Sequence, residues 1–154
     1  MPPRASRRLA ILLLPEDEHA AGGVAARAFA ALNNASIAHR VVRGGNGPVI
    51  AEEREAVTFL ANRQGGFVVR CPENDGLVTG FARALETWRS GGVGTVACDC
   101  GATHDLRGLQ FAPPAGFARS WLRVEDAASA EIDPDALNVV ASAFGGVRIV
   151  LRRG

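Results

Sequence analysis

Leu9-Ala10-Ile11-Leu12-Leu13-Leu14, preceded by Arg7-Arg8 and followed by Pro15-Glu16-Asp17-Glu18, is the stretch on which the reading of this chain turns. A basic pair ahead of an apolar run has the outline of a secretory signal. The run is too short for one: six apolar residues stand against the roughly 7 to 15 of a signal's apolar region, and acidic residues follow where a small-residue cleavage site belongs. It reads instead as a first strand buried on both faces. No stretch approaches the ~20 apolar residues of a membrane span. The expectation is a cytoplasmic chain, and its three cysteines suit a reducing compartment where thiols serve as core residues, metal ligands or redox groups.

Around this strand lie 154 residues, 47% hydrophobic and 21% charged, with a net charge of +1. That balance predicts one α+β domain over 1–154, long enough to bury a conventional core. All 17 basic residues are arginine. The lack of lysine excludes the phosphate-loop lysine and every Schiff-base or lysine-nucleophile mechanism, since each needs an ε-amine. A near-neutral charge without like-charge blocks argues against nucleic acid or anionic lipid as partner. Only the terminal arginines, Arg4, Arg7 and Arg8 with Arg148, Arg152 and Arg153, suggest a basic patch, should the two ends meet. Assembly of identical copies is left open.

Glu16 to Glu18 suit the positive end of a helix dipole, and Val24, Ala25, Ala28, Phe29 and Leu32 recur at helical spacing. Ile37 to Val42 reads as a second strand, and Gly44-Gly45-Asn46-Gly47-Pro48 as a loop that lacks phosphate-binding glycine spacing. Ala51 to Arg63, with Ala56, Val57 and Leu60 opposite Glu52, Glu53 and Glu55, reads as a helix. Phe67 to Cys71 gives a strand. Asp75 then caps a helix whose stripe is Leu77, Phe81, Leu85 and Trp88. Thr95 to Cys98, Leu106 to Phe111 and Trp121 to Val124 are strands. Asp133 caps a helix with Pro134 at its first position, Gly145-Gly146 ends it, and Val147 to Leu151 closes the chain. Helices packed on a mixed β-sheet are the architecture this order implies.

One constellation carries chemistry: Cys71, Cys98, Cys100 and His104. Structural zinc takes four Cys or His ligands in a tetrahedron, usually from two tight turns. Cys71-Pro72-Glu73-Asn74-Asp75-Gly76 and Cys98-Asp99-Cys100-Gly101 have that form. Two competing readings need the same residues. A Cys98–Cys100 disulfide would be strained and redox-active, and His104 beside Asp99 and Asp105 would be a general base, but without a nucleophile elbow.

The order Cys-Pro-x-x, amphipathic helix with Trp88, Cys98-x-Cys100-Gly101, Leu109-Gln110-Phe111-Ala112-Pro113-Pro114 and Phe144-Gly145-Gly146-Val147-Arg148-Ile149-Val150 resembles an uncharacterised bacterial family of small proteins with two Cys-Pro-x-Cys knuckles. The resemblance implies zinc-ribbon-like knuckles, spanning about residues 66–112, embedded in an α+β domain with no established activity. The knuckles are degenerate here. Asn74 stands where the first would have its second Cys, and Ala97 where the second would begin. Two states therefore stay open: a rearranged zinc site of three thiolates and His104, and a vestigial knuckle with buried thiols, which the missing thiolate favours.

Each catalytic scheme lacks a required member, so the functional expectation is a non-enzymatic protein that binds another protein, with Phe117 and Trp121 as exposed aromatic anchors. The alternative is a zinc- or thiol-dependent enzyme centred on Cys71, Cys98, Cys100 and His104.

Overall fold

The structure, a computed structural model, describes residues 9–62 and 67–153. The fold is α+β, and the chain divides into two compact units: Met1–Gly65 with Ala115–Gly154, and Gly66–Pro114. Among the described residues no helix is long and apolar enough to cross a membrane.

The first unit is built on β1 (Leu9–Pro15), whose unbroken apolar sequence is buried along its whole length. It pairs with β7 (Gly116–Ala127) on one side and β8 (Val147–Arg153) on the other, and β2 (Val49–Leu60) pairs with β7, giving the order β2-β7-β1-β8. Every pair is antiparallel, so the sheet is not mixed. One face carries Ile11, Leu13, Leu122 and Val124, which pack with Val24, Ala28 and Leu32 of α1 (Val24–Asn34) and Ala136, Val140 and Phe144 of α3 (Pro134–Phe144). Leu12, Leu14, Leu60, Ala118, Trp121 and Val150 form a second cluster. The α3 ends follow their chemistry. Asp133 Oδ1 accepts from the Asp135 and Ala136 amides, and Gly145 takes the left-handed φ of 77° that ends a helix cheaply only in glycine.

Three sequence readings are corrected here. Ala51 to Leu60 is strand, not helix; Arg63 lies outside the described residues. The register breaks between Glu53 and Thr58, and this irregularity hides the two-residue alternation while a long apolar partner, β7, supplies the pairing. Ile37 to Val42 is a packed loop. Ile37, Val41 and Val42 are buried, yet the backbone is satisfied by turns and by Asn46, whose side chain accepts from the Val41 amide and donates to the Ala38 and Gly47 carbonyls. Apolar pattern reports burial, and here burial comes without a ladder. The aromatic anchors are the third correction: Phe117 and Trp121 are 6% and 3% exposed, and Phe117 packs on Phe59 at 5.1 Å between ring centroids. Their place in the wall of the sheet follows from inward positions on a long strand. Of the terminal arginines, Arg4, Arg7 and Arg8 also lie outside the described residues.

The second unit contains β3 (Val68–Arg70) paired with β6 (Gln110–Ala112), β4 (Thr95–Ala97) paired with β5 (Thr103–Asp105), the helix α2 (Phe81–Arg89) and a 3-10 turn, Leu106–Gly108. Leu106 to Phe111 is thus turn followed by strand. Helix α2 starts at Gly80, not at Asp75, which sits in a turn with φ 59°. Phe67, Phe81 and Phe111 form an aromatic cluster with centroids 5.3–6.3 Å apart.

Candidate metal centre

Two turns and one short strand deliver the donor atoms. In the first turn, the Asp75 amide donates to the Cys71 carbonyl and the Cys71 amide to the Gly76 carbonyl, while an Arg70 guanidinium caps the Asp75 carbonyl. This loop folds back on Cys71 so that the Glu73 amide donates to its Sγ at 3.3 Å. In the second, the Gly101 amide donates to the Cys98 carbonyl and the Cys98 amide to the Ala102 carbonyl, with Gly101 at φ 90°, a conformation that favours glycine. That reversal leads straight into β5, where His104 pairs with Val96 of β4.

The result is convergence. One donor atom from each of Cys71, Cys98, Cys100 and His104 lies within 4.8 Å of all the others. The Nε2 atom of His104 is 3.4 Å from Cys71 Sγ and 3.3 Å from Cys100 Sγ. Ligands about 2.3 Å (sulfur) and 2.0–2.1 Å (nitrogen) from a tetrahedral Zn²⁺ stand roughly 3.5–3.8 Å from one another, and the two His104–sulfur distances are close to that range. Cys71 is fully buried, and Cys98, Cys100 and His104 are half-buried. The four residues are compatible with a bound metal ion.

The environment also prepares the thiols. Burial pushes the Cys71 thiol up, but the backbone amides of Asn74 and Glu73, aided by Cys98 and Cys100, outweigh it and bring it down to about 7. The Cys100 amide pulls the Cys98 thiol down, while burial and the neighbouring Cys71 and Cys100 thiols prevail and raise it. Three thiols crowded together cannot all ionise without a compensating cation.

Asn74, at the position where the resemblance places a cysteine, is committed elsewhere: its Oδ1 accepts the Gly76 amide at 2.9 Å, completing the turn. His104 Nε2 is the fourth donor atom of the cluster. Asp105 caps the 3-10 turn by accepting from the Arg107 amide.

The sequence reading passed over a second polar assembly, on the sheet of the first unit. Glu52 bridges Arg54 and Arg123, and Arg123 also donates to Glu125. Burial disfavours the Arg123 cation, but Glu52 and Glu125 more than compensate and hold it charged. The signal was present as charges alternating along the strands, Glu52-x-Arg54 and Arg123-x-Glu125. Reading β2 as a helix concealed it.

Comparison with known proteins gives no match to a family model, a curated protein or a solved structure.

Proposed function

We propose that Cys71, Cys98, Cys100 and His104 hold one Zn²⁺ as a structural centre that organises residues 66–114, and that the protein acts by binding another protein and not by catalysis. The observation that carries this reading is the convergence of three sulfurs and one imidazole nitrogen within 4.8 Å. Soft thiolates with one imidazole select zinc among the abundant divalent ions. Four protein ligands complete a tetrahedron and leave no position for water or substrate, which is the mark of a structural site; a catalytic one keeps three ligands and an open place.

The binding role is supported by where apolar surface remains. Val68, Leu77 and Val93 are exposed, the last two at 58% and 72%, and all three belong to the unit that contains the metal ligands. With Phe117 and Trp121 buried, this unit is the proposed contact region.

Metal content tests the reading, measured on protein purified without metal-affinity chromatography and paired with thiol titration before and after chelation. About one zinc per chain, with thiols reactive only after chelation, is the expected result. Metal-free protein that takes up neither Zn²⁺ nor Co²⁺ would overturn it.

A further inference from the structure

Every thiol of this chain belongs to the candidate metal centre. The sequence holds three cysteines, none of them in a disulfide, and the sulfurs of Cys71, Cys98 and Cys100 lie within 4.8 Å of one another. Side-chain rotation with a small shift of either turn brings two of them to the S–S bond of about 2 Å. The three are not equally sheltered. Cys71 is 0% exposed, whereas Cys98 and Cys100 are half-buried and stand in a turn whose other members, Asp99, Gly101 and Ala102, are exposed. A small solute therefore meets the centre from the second turn.

Chain geometry decides which sulfurs can join. One residue separates Cys98 from Cys100, so a bridge between them closes a small, strained ring. Cys71 lies on the other turn, and its bond to either of them closes no such ring. A bridge across the turns removes half of the donor set. One sulfur and the His104 nitrogen remain, too few to complete the tetrahedron that holds Zn²⁺.

We propose that the centre is a peroxide-sensitive switch, in which oxidation joins Cys71 to Cys98 or Cys100 across the two turns and releases the Zn²⁺. The switch rests on the structural-zinc reading and gives that centre a regulation: residues 66–114 are organised while the thiols are reduced. Coordination keeps the sulfurs as thiolates, the nucleophilic form. A thiolate of Cys98 or Cys100 attacks one oxygen of hydrogen peroxide; the O–O bond breaks, a sulfenic acid forms, and the departing hydroxide takes a proton from solvent. The Cys71 thiolate then attacks the sulfenic sulfur; the S–S bond forms, the S–O bond breaks, and the hydroxide leaves as a second water. Two electrons pass from two thiolates to the peroxide, and two solvent protons complete two waters. The chain has no thiol outside the centre to divert or rearrange the bridge. Reduction by a dithiol reverses the bond and restores the ligands.

The sequence makes the test direct. Trypsin cuts after Arg70, Arg83, Arg89 and Arg107, which puts Cys71 in peptide 71–83 and both Cys98 and Cys100 in peptide 90–107. Zinc content of the full-length protein is measured first. The zinc-loaded protein is then treated with hydrogen peroxide beside a chromogenic chelator, with a peroxide-free sample as baseline, alkylated at its free thiols and digested without reduction. Metal release is expected in step with a disulfide-linked pair of 71–83 and 90–107, at one Zn²⁺ per bridge, and the third thiol takes the alkylating agent. Dithiothreitol with added Zn²⁺ is expected to restore metal content and remove the linked pair. Protein that binds no zinc would overturn both the switch and the structural-zinc reading. Stoichiometric zinc that peroxide leaves in place would overturn the switch alone. So would a bridge confined to 90–107, a bridge between two chains on a non-reducing gel, or release with sulfinic or sulfonic acids and no disulfide.

Discussion

The two units of this chain are stabilised on different terms. The sheet unit has a continuous apolar strand, Leu9 to Leu14, at its centre, and Ile11, Leu12, Leu13, Leu14, Leu32, Leu122, Val124, Val140 and Val150 are completely buried. In Gly66–Pro114 the strands are three residues long, and among the described residues Cys71 and Leu106 are the completely buried ones there. A core of that size rarely sustains a fold alone, and small units commonly add a metal. The difference teaches where the proposed metal would act: its four candidate ligands belong to the unit with the meagre core.

The largest expected effect is on that contrast itself. Structural zinc contributes on the order of 10 kcal/mol in small metal-held domains, so Cys100→Ser is expected to abolish zinc retention and disorder 66–114. Near-ultraviolet circular dichroism of Trp88 would report the loss; a Cys100→Ser protein that still holds stoichiometric zinc would break the comparison. The counterpart in the sheet unit is Leu122→Ala, expected to cost about 2–5 kcal/mol through lost burial and the cavity left. Zinc content should stay unchanged, and denaturant unfolding measures the difference.

Acidity separates the units further. Zinc needs thiolates, and the Cys71 thiol lies near 7, below its ordinary 9.0. An acid whose folded value is lowered stabilises the folded form above its ordinary value and loses that contribution as pH falls through about 7. Zinc affinity is therefore expected to drop on acidification, about tenfold per pH unit for each ligand that takes up a proton, as competition with a chromogenic chelator would show. The smallest effects are local. Asp133→Ala is expected to cost about 1 kcal/mol at the start of α3, read by thermal unfolding. Asn74→Cys should leave zinc stoichiometry at one per chain, because in the proposed centre His104 supplies the fourth ligand.

Much of this was legible in the sequence, and the failures have physical causes. The first strand, α3 with its Asp133 and Gly145 ends, and the closing strand were readable because local chemistry and tertiary packing agree there. The four donor residues were also identifiable by type and spacing. Their convergence was not, since it depends on the Gly101 reversal and on β4–β5 pairing, which bring His104 back to Cys71 across 33 positions of sequence. Asn74 obscured the matter because it stands where a second thiol was expected, while His104 lies on β5. β2 was misread because a long-range partner sets its conformation, and burial of Phe117 and Trp121 was missed because the strand expected over Trp121 to Val124 begins at Gly116.

Hydrogen exchange followed by mass spectrometry, on zinc-loaded protein before and after chelation, tests the central claim most directly. Amides in 66–114 should lose protection after chelation, with those of β1, α1 and α3 keeping theirs. Unchanged protection in 66–114 after complete removal of zinc would contradict the account.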